Sequence, residues 1–204
     1  MLERFRSKFR LTAGEFTSGT SDASVSGVIQ CAGGTTWEHG LYRIHTGASG
    51  AAASRLVVDA FPEFRERIGA CFGMDWLGRQ FALDGARGER DDPELLLFEP
   101  GTGQALEIPV PFSRFHDEEL VEYTDAALAS GFFAGWRSAG GAVDVGFDQC
   151  VGYRVPLFLG GRDDVSNLEL SDVDVYWTLM GQLVRAAKGV PPGTRIRSVP
   201  AQDT

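Results

Sequence analysis

A chain of 204 residues, 43% hydrophobic and 23% charged, has the length and composition of one domain with a full core. A formal net charge of −9 repels phosphate backbones and anionic lipid headgroups, which argues against direct nucleic-acid or membrane-surface binding and suits a basic partner. No apolar run approaches the roughly 18 residues of a membrane-spanning helix.

The first ten residues hold four bases and one acid with no apolar core after them, so they do not read as a secretory signal. Leu2, Phe5 and Phe9 fit one side of a short amphipathic helix; fraying is the preferred reading of this terminus. Residues 11–36, rich in Thr, Ser, Gly and Ala, read as irregular with one short strand over 25–30. Leu41–His45 alternates as a strand, and Gly47–Gly50 reads as a breaker. Ser54 is a candidate cap for a helix over 55–61. Strands are expected at 70–75 and 79–84 around Trp76-Leu77-Gly78, followed by a polar loop over 85–93. Residues 95–99 and 104–109, separated by Pro100-Gly101-Thr102-Gly103, read as a hairpin, which completes a meander of about four strands.

Residues 116–136 read as one helix, with Asp117, Glu118 and Glu119 in its favourable first turn. Residues 151–159 look strand-like, interrupted by Pro156. A last helix spans about 172–188, with Ser171 and Asp174 resembling a capping box and Gly189, Pro191 and Pro192 ending it. Residues 194–199 read as a final strand or a tail. The order of elements, without regular βα alternation, predicts an α+β fold: a single domain with a curved, mainly antiparallel sheet and flanking helices. The expected organisation is a partly irregular N-terminal segment over 1–32, the domain over 33–199 and a tail over 200–204.

The charge is uneven. Between Glu89 and Asp125 there are eleven acids against two bases, and between Asp144 and Asp174 seven against two. A solvated face explains such runs by default. A contact surface for a basic partner, drawn from charge density alone, comprises Asp91, Asp92, Asp117, Glu118, Glu119, Asp163 and Asp164.

Cys31, Cys71 and Cys150 are odd in number and widely spaced, so reduced, buried thiols and a cytoplasmic setting are expected. His45 sits in a strand-like run without a local nucleophile signature, and a structural or surface role is expected. His39 and His116 stand beside Glu38 and Asp117 and read as surface groups with raised pKa. Asp163-Asp164 and Asp172-x-Asp174 lack the glycine and distal glutamate of a calcium loop. Gly160-Gly161-Arg162 and Gly101-x-Gly103 match neither a Walker loop nor a dinucleotide fingerprint. No catalytic residue, metal site or cofactor is therefore assigned, and the chain is read as a non-enzyme. Trp37, Trp76, Trp136 and Trp177 read as core, with one or two of them available as exposed anchors.

Three stretches carry a family resemblance: Gly33-Gly34 with Gly40-Leu41-Tyr42-Arg43-Ile44-His45; Phe72-Gly73-Met74-Asp75-Trp76-Leu77-Gly78-Arg79-Gln80-Phe81-Ala82-Leu83-Asp84; and Leu97-Phe98-Glu99-Pro100-Gly101-Thr102-Gly103. With the aromatic helix end Phe132-Phe133-x-Gly135-Trp136, the chain resembles, over roughly 33–188, the bacterial SUKH superfamily and the type VI secretion immunity-protein (Tdi-type) C-terminal domain. That resemblance implies a curved antiparallel sheet with flanking helices, and a protein that binds and neutralises a toxin effector, often a nuclease, with no catalytic residues to transfer. Residues 150–161 and the Trp177 helix look like an extension particular to this lineage. The expected partner is a basic protein toxin, and the chain itself is expected to be a monomer or homodimer. A non-toxin regulatory or scaffold module, and an unrecognised hydrolase, are the alternatives.

Overall fold

Seven strands run as an antiparallel meander in which each strand pairs with its neighbours in sequence. The structure, a computed structural model, describes residues 2–18, 24–140 and 144–189. In chain order it has helix α1 (Glu3–Lys8), strand β1 (Leu11–Ala13), α2 (Val25–Ala32), β2 (Thr36–Trp37), β3 (Tyr42–Ile44), α3 (Gly47–Ala60), β4 (Ile68–Asp75), β5 (Gln80–Glu89), β6 (Asp92–Glu99) and β7 (Gln104–Ile108). A broken helical stretch follows: α4 (Phe112–Arg114), a π-turn over Phe115–Glu119, α5 (Leu120–Glu122), α6 (Thr124–Leu128) and α7 (Ser130–Gly140). A separate two-stranded ribbon pairs β8 (Gln149–Tyr153) with β9 (Leu168–Asp172), and α8 (Val173–Ala187) closes the described chain. In the large sheet β1 and β7 are the lateral strands.

Both faces of the sheet are covered. Side chains alternate along β6, and Leu95 and Leu97 join one buried cluster while Leu96 and Phe98 join another. The first cluster holds Phe5, Val28, Trp37, Phe72, Trp76, Phe115 and Leu128; the second holds Val57 from α3 and Trp177 and Met180 from α8. A strand buried on two faces has no polar side to show, which is why 95–98 reads Leu-Leu-Leu-Phe. Each large side chain taken fully out of water contributes about 1.5–3 kcal/mol.

The expected α+β class, the antiparallel meander and the hairpins around Trp76-Leu77-Gly78 and Gly101 are all present. Several local readings are corrected. The terminus is a helix whose Leu2, Phe5 and Phe9 are buried, anchored by the Phe5 N–H donating to Asp117 Oδ1 at 3.0 Å. Residues 25–32 form helix α2 rather than a strand, because the Ser24 hydroxyl caps Gly27 N–H at 3.1 Å and Val28, Cys31 and Ala32 share a buried face. Helix α3 starts at Gly47 behind a Thr46–Ser49 capping box, so 47–50 is a helix start and Ser54 is not its cap. Gly50 is required there for closeness: a Cβ would stand 2.3 Å from the Cys71 carbonyl oxygen.

The expected polar loop at 85–93 is instead the twisted end of the β5–β6 hairpin. Arg87 pairs with Asp84 at 2.6 Å and with Glu94 at 2.7 Å across it. The single helix expected over 116–136 is broken at Tyr123 and at Ala129, whose backbone is left-handed at φ 49°. Residues 151–159 divide into β8 and a 3₁₀ turn (Leu157–Leu159) past Pro156. Asp172, not Ser171, caps α8, accepting from Val175 N–H at 3.1 Å. The readings for Pro191, Pro192 and residues 194–204 lie outside the described residues. Among those described, no helix is long and apolar enough to cross a membrane.

Candidate functional site at the seam of hairpin and helices

The turn between β4 and β5 is closed by its own side chains. The Asp75 carboxylate accepts from the Arg79 backbone N–H at 2.9 Å and from Arg79 Nε at 2.5 Å. Burial pushes the Asp75 carboxyl upward while Arg79 pulls against it. Burial also works against the charge on Arg79, but Asp75 and Glu99 together hold that guanidinium above its ordinary value. Arg79 continues to Glu99 at 2.9 Å, and Glu99 Oε2 accepts from the Thr102 hydroxyl at 3.0 Å.

The break at Ala129 frees carbonyls that a continuous helix would have used. The turn collects them: Arg79 Nη2 donates to Ala127 O and Trp76 Nε1 to Leu128 O, each at 2.9 Å. Trp76 O accepts from Val151 N–H in β8 at 2.7 Å, and Trp177 Nε1 of α8 donates to Gly78 O at 2.7 Å. The Phe72–Phe81 stretch is therefore the clamp on which the C-terminal elements seat.

Beside that clamp opens a cavity of about 180 Å³, contributed equally by the meander (Arg79, Glu99) and by the later elements (Phe132, Tyr153, Asp163, Tyr176). Tyr153 N–H donates to the Tyr176 hydroxyl at 3.1 Å, and the Tyr153 hydroxyl donates to Asp163 Oδ1 at 2.6 Å. Burial first, then Asp163, pushes the Tyr153 phenol far up. Two glycines admit these rings. A Cβ on Gly101 would sit 2.4 Å from the Tyr153 ring, and one on Gly152 would sit 2.3 Å from that of Tyr176.

The seven acids named from charge density do not form one cluster of free carboxylates. Asp92 accepts from Ser113 N–H at 2.9 Å and Ser113 Oγ at 2.6 Å, Asp117 holds α1, and Asp164 caps a 3₁₀ turn through Ser166 N–H at 2.9 Å. Glu118 pairs with Arg114, whose hydrogen bond draws its carboxyl down. Glu119 is raised, first by burial and then by Glu122. Asp91 is exposed at the β5–β6 turn. Asp163 alone lines the cavity. Sequence reasoning missed Glu99, Phe132, Tyr153 and Tyr176 as partners of that residue. The signal was Gly101 and Gly152, each placed where an aromatic ring must pass.

The other polar groups of the interior are structural. His45 Nδ1 stands 3.0 Å from Ser49 Oγ and its Nε2 stands 2.8 Å from Gln80 Oε1. This Ser–His contact belongs to the cap of α3, and burial lowers His45 to about 4. His116 is not a surface group. It lies buried among Phe5, Tyr42, Phe72, Phe112 and Phe115, and burial lowers it to about 3 instead of raising it. His39 is part-exposed and pairs with Asp144 at 2.6 Å, not with Glu38. Arg43 is wholly buried and donates to the carbonyls of Gly146 (2.7 Å), Gln149 and Asp75; burial lowers it to about 10. Trp37, Trp76 and Trp177 are buried and Trp136 is partly so. Among the described residues, no group of three or more His, Cys, Asp or Glu is placed to hold a metal ion.

Residues 112–184 match the family model described as T6SS immunity protein Tdi1, C-terminal. The match bears out the resemblance read from the sequence over that stretch, and it corrects one reading: residues 150–161 and the Trp177 helix lie inside the matched domain and are no lineage extension. The motifs at 40–45, 72–84 and 97–103 precede it. The solved structure of Atu4351 from Agrobacterium tumefaciens is 16% identical, covers 89% of each chain and superposes with a TM-score of 0.58, a likeness of fold. No curated protein matches the chain.

Proposed function

We propose that this chain is an immunity protein of the SUKH type that binds a cognate toxin effector of type VI secretion in the cytoplasm and neutralises it by occlusion. The observation that carries the reading is the match of 112–184 to an immunity-protein domain. The cavity at the seam is about 180 Å³, below the roughly 300–1,000 Å³ of small-molecule sites. The toxin is a basic protein, a nuclease in the simplest case. A net charge of −9 speeds its capture by long-range attraction. The exposed Asp91 and the acids at 118–119 and 163–164 belong to the attracting surface, while Asp92 and Asp117 act mainly within the fold.

Co-expression with the adjacent open reading frame tests this. The neighbour alone should stop growth, and this chain should restore growth and co-purify with it. A harmless neighbour that does not co-purify would leave the chain as a regulatory or scaffold module. The hydrolase alternative gains nothing from Asp75, whose carboxyl burial pushes upward, since that group is wholly buried behind Arg79.

A further inference from the structure

The cavity beside Arg79 has a volume, a lining and a charge that together specify an occupant. At about 180 Å³ it holds one large side chain and no more. Its walls are aromatic: Phe132 stands partly open, the Tyr176 hydroxyl accepts from Tyr153 N–H, and the Tyr153 hydroxyl donates to Asp163. Among the described residues, the only cation in the lining is Arg79, already matched by Asp75 at 2.5 Å and Glu99 at 2.9 Å. Asp163 adds a carboxylate that is exposed and, among the described residues, unmatched by any base. Its Oδ1 accepts from Tyr153 at 2.6 Å, and among the described residues its Oδ2 has no partner.

Resting on the immunity reading, we propose that this notch seats an arginine side chain of the toxin, its guanidinium against the Phe132 and Tyr153 rings and hydrogen-bonded to Asp163 Oδ2. Aromatic faces attract cations through the ring quadrupole, and a planar guanidinium satisfies a ring and a carboxylate at once. A partly desolvated pocket is where one anchor residue dominates an interface, while acids on open surface chiefly steer approach. The rigidity of the clamp means that little ordering remains to be done when the anchor arrives.

The test measures toxin affinity by calorimetry for the full-length wild type, Asp163→Asn and Phe132→Leu. The asparagine keeps an acceptor for the Tyr153 hydroxyl but puts an uncharged NH2 donor where Oδ2 stood, so its melting temperature should match the wild type while the acceptor for the guanidinium is gone. Asp163→Asn is expected to weaken toxin binding at least tenfold and Phe132→Leu several-fold. Unchanged affinity in both variants overturns the seat and leaves the immunity reading standing; a wild type that does not bind the toxin overturns both. Without toxin, N-acetyl-arginine amide should titrate the amide signals of Gly101 and Phe132 in the wild type, while the neutral N-acetyl-citrulline amide should not. Equal response to the two probes, or to neither, excludes a cation seat.

Discussion

Replacing Arg43 by methionine tests whether the meander and the C-terminal elements are joined by one buried ion. The guanidinium is completely out of water and donates to three carbonyls, those of Gly146, Gln149 and Asp75. Two of these precede or open β8, and the third belongs to the turn that carries Arg79. A buried ion pair replaced whole by apolar groups is often neutral, but here the partners are backbone oxygens that stay behind. Each stranded buried carbonyl costs about 1–3 kcal/mol. Relief of the ion's own desolvation, and of its Nε, which has no partner among the described residues, offsets part of that. The expected net loss is roughly 3–5 kcal/mol, the range for removing one partner of a buried charged network. At about 2–4 °C per kcal/mol for a chain of this size, the melting temperature should fall by roughly 6–20 °C. Scanning calorimetry reads the size of the effect, and amide exchange reads its place: protection should drop first over 144–149. A loss under about 1 kcal/mol, or one spread evenly over the sheet, would refute the account of Arg43 as the tie.

Acid should destabilise the protein in two stages. His45 and His116 are held near 4 and 3 against an ordinary 6.5, so the unfolded chain takes up the protons and stability declines as pH falls from about 6.5. In His116→Leu, the urea midpoint should change less between pH 6.5 and 4 than in the wild type. Burial opposes ionisation of Asp84, but hydrogen bonds from Arg67 and Arg87 carry it down to about 2 from 3.8. Its contribution, on the order of 2 kcal/mol, is complete above pH 3.8 and lost toward pH 2, and Asp84→Asn should abolish that second stage. Gly152→Ala drives a methyl into the Tyr176 ring and should cost about 1–3 kcal/mol by thermal melting. The three cysteines are buried, with Cys71 and Cys150 pushed up to about 12 by burial, so a disulfide reagent should titrate none of them until the protein unfolds.

The hairpins were legible because their turn residues and alternation agree. Helix α2 was not, because Val25, Val28 and Ile29 favour strands, and only the Ser24 cap and a core on one side decide for helix. Gly47 and Gly50 misled for a related reason: the second glycine answers to the Cys71 carbonyl across the fold, which no local rule can see. Acidic density named Asp163, which lines the cavity, with the same weight as Asp92 and Asp117, whose carboxylates are committed to Ser113 and Phe5. Charge counts do not distinguish a free carboxylate from a hydrogen-bond acceptor already in use.

Strand β7 ends the large sheet on one side, and an open strand edge invites another chain to add to it. This one is five residues long, Pro109 removes the next donor, and Glu107 is half-exposed while bonded to Arg67. A second copy aligned antiparallel about Glu107 would bring two carboxylates together and compete for Arg67. Crowded expression of this chain should therefore yield dispersed molecules instead of fibrous stacks, and neutralising Glu107 is the change that would reopen that route.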